Sequence, residues 1–120
     1  MSILAMILVA LIAALHAYIT WFEMCAWTSR GPKIFASFPK DLFEPTKSMA
    51  ANQGLYNGFL SAGLIWSLLI QAPGWGANVA TFFLLCVAIA GAYGYATVSK
   101  RIIYVQTVPA VAALLAVYLT

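Results

Sequence analysis

Eight polar side chains stand out from an otherwise apolar chain of 120 residues: His16, Glu23, Asn52, Gln53, Tyr56, Asn57, Tyr93 and Gln106. His16 is the only histidine. With Glu23 it makes the one pair suited to acid–base catalysis, because an imidazole titrates near neutral pH and a carboxylate can take up or relay a proton. Seven positions separate the two, which is two helical turns, so both point the same way on a helix. Asn52 with Tyr56, and Gln53 with Asn57, form two i, i+4 pairs. Amides and phenols in that pattern orient a ligand by hydrogen bonds rather than react with it, and Tyr93 and Gln106 extend the set. A metal is not expected. His16 and Glu23 supply too few ligands, and Asn and Gln are poor partners for Zn or Fe. No residue pattern calls for a cofactor. Cys25 and Cys86 form no CxxC, and as members of different helices at different depths they are not expected to pair.

The elements that carry these residues follow from composition. Hydrophobic residues make up 64% of the chain and charged residues only 8%. A soluble domain of this size cannot hide that much apolar surface in one core. A hydrocarbon layer about 30 Å thick needs roughly 20 apolar residues per crossing. Four runs satisfy this, at 3–22, 49–72, 78–98 and 102–120. The fold expected is an all-α membrane protein, a single four-transmembrane-helix domain. An interfacial connection at 28–48 joins the first two spans, and the first helix extends to about Trp27. A cleaved signal peptide fits the first span poorly, since no Lys or Arg precedes Arg30 and the run is longer than a signal core.

Charge orients the bundle. All six Lys and Arg residues lie in 30–47 and 100–101. In a four-span chain those two connections share a side, and the positive-inside rule makes it the cytoplasmic one, with both termini outside. The location expected is the cell (inner) membrane, as a multi-pass protein. The same rule accounts for the net charge of +3 without nucleic acid.

Orientation then sorts the polar residues by depth. At 1.5 Å per residue, His16 lies about 20 Å from the outer boundary and Glu23 about 30 Å, at the cytoplasmic edge. Asn52, Gln53, Tyr56, Asn57, Tyr93 and Gln106 fall in the same cytoplasmic half. The outer half holds hydroxyls such as Ser61, Ser67 and Thr81. Polar groups facing lipid are costly, so the layer is expected to turn inward. Two structures satisfy it. One is a polar pocket open to the cytoplasm that touches His16 and Asn57. The other is interhelical glue at about 0.6 kcal/mol per hydrogen bond.

Packing signals are present but generic. Gly54, Gly58 and Ala62 recur every four positions, with Gly63 following, and Ala88, Gly91, Ala92 and Gly94 cluster in the third span. Such small-residue faces serve packing within one chain or a homo-oligomer equally well. Pro109 frees the Val105 carbonyl and is expected to kink the fourth span near Gln106. In the connection, Ile34, Phe35, Phe38, Leu42 and Phe43 alternate with Lys33, Lys40 and Lys47. A short helix starting near Pro39 is expected there, either anchored among lipid headgroups or covering the mouth of the pocket.

The stretch Ala50-Ala51-Asn52-Gln53-Gly54-Leu55-Tyr56-Asn57-Gly58-Phe59-Leu60 resembles the signature of a bacterial and fungal family, domain-of-unknown-function family 1304. His16, Tyr18, Glu23-Met24 and Trp27 resemble that family in the first span. So do Ala90-Gly91-Ala92-Tyr93-Gly94 in the third, and Val105-Gln106 with Pro109 in the fourth. Cys25-Ala26 is a mild departure, where the family carries bulkier apolar residues. The resemblance implies small four-helix integral membrane proteins, and His16, Glu23, Asn52, Gln53, Tyr56 and Asn57 as family-typical polar positions. It supplies no reaction.

Three function classes fit. The first is a membrane-embedded binding protein or enzyme acting on a small amphipathic or lipid-like molecule. Here His16 and Glu23 are the catalytic pair, Asn52, Gln53 and Asn57 orient the ligand, and Tyr56, Tyr93 and Gln106 complete the pocket. The second is a small transporter using Glu23 as coupling carboxylate. The apolar outer half offers it no exit, and the strong charge bias does not suit a dual-topology exporter. The third is a structural or accessory membrane subunit. In each, the expected partners are membrane lipids.

Overall fold

The computed structural model describes all residues 1–120 and contains helices joined by short turns, with no strands. Helix α1 spans Ile3–Cys25, α2 Trp27–Ile34, α3 Lys47–Leu69, α4 Trp75–Thr97 and α5 Val108–Leu119. A single 3-10 turn covers Lys40–Leu42, and a π-helical segment at Ile103–Thr107 leads into α5. Helices α1 and α4 are long and apolar enough to cross a membrane. Helix α3 has the same length of 23 residues but opens on the polar run Lys47-Ser48 and Asn52-Gln53. The last apolar stretch, Ile103–Leu119, is shorter.

Local sequence explains the breaks. Ala26 departs from helical geometry and separates α1 from α2. The amide of Phe35 ends α2 by donating to the Gly31 carbonyl at 2.8 Å. Gly74 takes φ +80°, a left-handed conformation that glycine adopts without steric cost, and turns the chain into α4. Val98 and Ser99 amides both donate to the Gly94 carbonyl and close α4.

The fourth apolar run is not a uniform α-helix. Proline at 109 has no amide hydrogen to continue the i→i−4 ladder, and just before it the helix widens. The Val108 amide donates to the Ile103 carbonyl, a step of five residues. Where the sequence led to the expectation of a kink near Gln106, the structure has a π segment. The connection differs as well. The short helical turn capped by Pro39 is present, and a full helix, α2, precedes it with Pro32 inside.

The residues form two compact units. One comprises Met1–Ala14 and Leu60–Thr120. Its core is Val9, Ile12, Ala13, Leu64, Ala80, Leu84, Val87, Ala110 and Ala113, all buried. Alanines on α5 let that helix approach α4. The tightest point is Gly91, where a Cβ would overlap the Thr107 hydroxyl and crowd its amide. Thr107 Oγ1 donates to the Ala88 carbonyl at 2.8 Å across the same crossing. Gly63 likewise lies against the Phe83 ring.

The other unit is Leu15–Phe59 and contains the end of α1, α2, the 3-10 turn and the start of α3. Its interior is aromatic. The Trp27 ring lies 5.6 Å from Phe22, 5.9 Å from Phe35 and 5.1 Å from Phe43. Phe38 packs edge-on to Phe43 at 4.9 Å. Gly31 is buried because the Phe43 ring occupies the space its Cβ would need. Trp27 Nε1 donates to Thr46 Oγ1 at 2.9 Å, and that hydroxyl donates in turn to the Leu42 carbonyl at 2.7 Å. The connection between α1 and α3 is a folded aromatic cluster held by one polar relay.

Candidate functional site

Helix geometry decides which polar residues can meet. On α1 the buried side follows Ala5, Val9, Ile12, Ala13 and His16, then half-buried Thr20 and Glu23, steps of three and four residues. On α3 the corresponding side is Ala50, Gly54, Asn57, Ser61 and Leu64. Gly54 brings the two backbones together. A Cβ there would stand 2.7 Å from Met24 Cγ, 3.0 Å from Glu23 Cβ and 3.1 Å from the Thr20 carbonyl oxygen. One turn on, this approach sets Asn57 against Glu23. Asn57 Nδ2 donates to Glu23 Oε1 at 2.7 Å and also to the Gln53 carbonyl at 3.1 Å.

Beside this pair lies a cleft of about 170 Å³. Glu23, Thr46 and Gln53 give it polar lining. Its apolar walls are Trp27, Phe38, Met49 and Ala50. The Thr46 hydroxyl is already engaged, accepting from Trp27 and donating to backbone carbonyls. Arg30, the basic residue nearest to Glu23 in sequence, carries its guanidinium over the rings of Tyr18 at 6.0 Å and Trp21 at 5.8 Å. The free carboxylate edge of the cleft therefore has aromatic and thioether neighbours, with Gln53 as the polar one.

The eight sequence candidates are distributed unequally. Glu23 and Asn57 are bonded to each other, and Glu23 and Gln53 line the cleft. His16 is fully buried on the same side of α1, two turns before Glu23, and does not line the cleft. Asn52 and Tyr56 occupy the outward side of α3, Tyr56 at 62% exposure. Tyr93 is 72% exposed on α4, and half-buried Gln106 belongs to the π segment. Gln106 packs by its Cβ toward Gly91 in the unit formed with α4 and α5. Sequence reasoning missed Trp27, Phe38, Thr46, Met49 and Ala50 as cleft residues. Trp27 and Phe38 fall in the aromatic-rich stretch from Phe22 to Phe43, whose connection is expected from sequence either to anchor among headgroups or to cover the pocket mouth; Thr46, Met49 and Ala50 carry no such signal.

Fold and site together define a small all-helical protein in which one carboxylate is presented beside an aromatic cleft. The chain belongs to the family described as "Protein of unknown function (DUF1304)", which matches residues 10–118 and so covers all eight candidates. It is similar to the "Uncharacterized protein YpaA" of Lactococcus lactis subsp. lactis (strain IL1403). The two are 29% identical over 117 residues, 96% of this chain and 97% of that one. No solved structure matches the chain.

Proposed function

We propose that the chain is a multi-pass protein of the cell membrane that binds a small amphipathic molecule in the Glu23 cleft, from the side carrying the basic connections. Its four spans are α1, α3, α4 and the segment Ile103–Leu119, and Lys and Arg at 30–47 and 100–101 mark the cytoplasmic face. Three facts support the membrane reading. Helices α1 and α4 have the required length and composition. Helix α3, at about 1.5 Å per residue, is as long as the hydrocarbon layer is thick. Large apolar side chains such as Leu11, Phe59, Leu69, Phe82, Ile89 and Leu115 are exposed, a surface that suits lipid and not water.

One observation carries the binding reading: Glu23 is fixed by Asn57 while its cleft stays open between Trp27, Phe38 and Met49. The cleft is smaller than the roughly 300–1,000 Å³ of sites that enclose a drug-sized ligand. It therefore suits the head of an amphipathic molecule whose tail remains in lipid. His16, buried on α1 and outside the cleft lining, does not contact the ligand in this reading.

Native mass spectrometry of protein released from membranes tests this reading. Wild type is expected to retain a small-molecule adduct. Gln53→Trp, which fills the cleft from an exposed position, is expected to lose it. An equal adduct on both, or none on either, rejects the reading.

A further inference from the structure

We propose that the cleft is selective for an organic cation, an amine or quaternary ammonium head on an apolar tail. This rests on the reading of the cleft as a binding site. Of the residues that line it, Glu23 is the one with an ionisable side chain, and none of the six Lys and Arg residues lines it. Asn57 occupies Oε1 of the carboxylate. Arg30, the cation best placed in sequence to neutralise it, is stacked on Tyr18 and Trp21 instead.

The remaining lining strengthens the choice. Thr46 spends its hydroxyl hydrogen on the Leu42 and Phe43 carbonyls, so it has no donor to offer a ligand. Asn57, bonded to Glu23 but outside the lining, spends both amide hydrogens on Glu23 and the Gln53 carbonyl. An anionic head would face a carboxylate with no cation to meet it and only the Gln53 amide as donor. A cationic head meets the carboxylate on one side and the aromatic residues Trp27 and Phe38 on the other. Aromatic faces attract cations through their quadrupole, and attract quaternary ammonium groups in particular.

Three photoreactive probes decide the matter. They share one alkyl tail with a diazirine and differ only in the head: trimethylammonium, hydroxyl or sulfate. The full chain is labelled in nanodiscs of zwitterionic lipid, and labelling of the cleft segments is normalised to that of α4. The ammonium probe is expected to label the cleft at least tenfold more than the hydroxyl probe. Glu23→Gln is expected to erase that difference, and Glu23→Asp, which keeps the charge, to retain part of it. Equal cleft labelling by the hydroxyl or sulfate probe overturns the cation assignment and leaves the cleft as a binding site. A preference that survives in Glu23→Gln also overturns it. Absence of cleft labelling by all three probes overturns the binding reading as well.

Discussion

Asn57 on α3 donates its side-chain amide to the carboxylate of Glu23 on α1 at 2.7 Å, one turn beyond the point where Gly54 lets the two helices touch. Both residues are half-buried, so the bond joins a charged group to a donor at the edge of the apolar interior. Such bonds are worth more than neutral ones, at about 1.5–3 kcal/mol. Asn57→Ala is expected to lower unfolding stability in lipid or mild detergent by about 1–3 kcal/mol. In a Glu23→Gln background the same substitution should cost at least 1 kcal/mol less, by roughly the size of a contact coupling. Equal costs in the two backgrounds would show that the pair carries no coupling.

The glycines of α3 differ in what they tolerate. Gly54→Ala places a methyl against the Thr20 carbonyl, a backbone atom that cannot swing away, and against Met24. It should destabilise by about 1–3 kcal/mol, the usual range for overpacking. Gly58→Ala meets only Thr20 Cγ2 at 3.4 Å and Oγ1 at 3.5 Å, ordinary contacts. That substitution should be neutral or gain up to about 1 kcal/mol from helix propensity. Thermal unfolding of the two variants side by side checks the contrast.

Trp27 plays two roles that substitution can separate. Trp27→Phe keeps a ring among Phe22, Phe35 and Phe43 but loses the indole bond to Thr46. It should cost about 1 kcal/mol, the worth of one hydrogen bond. Trp27→Ala empties the centre of the cluster and should cost about 3–5 kcal/mol. Limited proteolysis reads this locally: cleavage within residues 35–46 should stay slow in Trp27→Phe and accelerate in Trp27→Ala.

Topology has a direct readout. With Cys25 and Cys86 replaced by serine and alanine, single cysteines at Ser37 and Ala72 report the two sides. Both positions are exposed. An impermeant maleimide should label Ser37→Cys only in inverted vesicles and Ala72→Cys only in right-side-out ones. Labelling of both from one side would remove the four-span arrangement.

The sequence made some of this legible and hid the rest for physical reasons. Hydropathy located the long helices to within a few residues, because crossing length and composition are local properties. The seven-residue step from His16 to Glu23 placed both on one side of α1, since helical period is local too. Spacing alone could not say which side of α3 faces α1. Asn52 with Tyr56 and Gln53 with Asn57 are equivalent as i, i+4 pairs, and only the close approach at Gly54 selects Asn57. The small-residue stripe was ambiguous between partners, and Gly54 and Gly63 both proved to serve packing within the chain. Proline at 109 marked a disturbance but not its form, a π segment within which Thr107 also bonds to the Ala88 carbonyl. The aromatic cluster was least visible, because residues from Phe22 to Phe43 meet by folding back and not by any period.

Binding at the Glu23 cleft is tested most directly by what occupies it. A crystal structure of the wild-type chain grown from a lipidic mesophase would show it. Elongated density is expected there, with its head within hydrogen-bond distance of the Glu23 carboxylate, between Trp27 and Phe38, and its tail passing Met49 into lipid. A cleft closed by its own side chains or filled by ordered water, with elongated density confined to the outer faces of α4 and α5, would contradict the account.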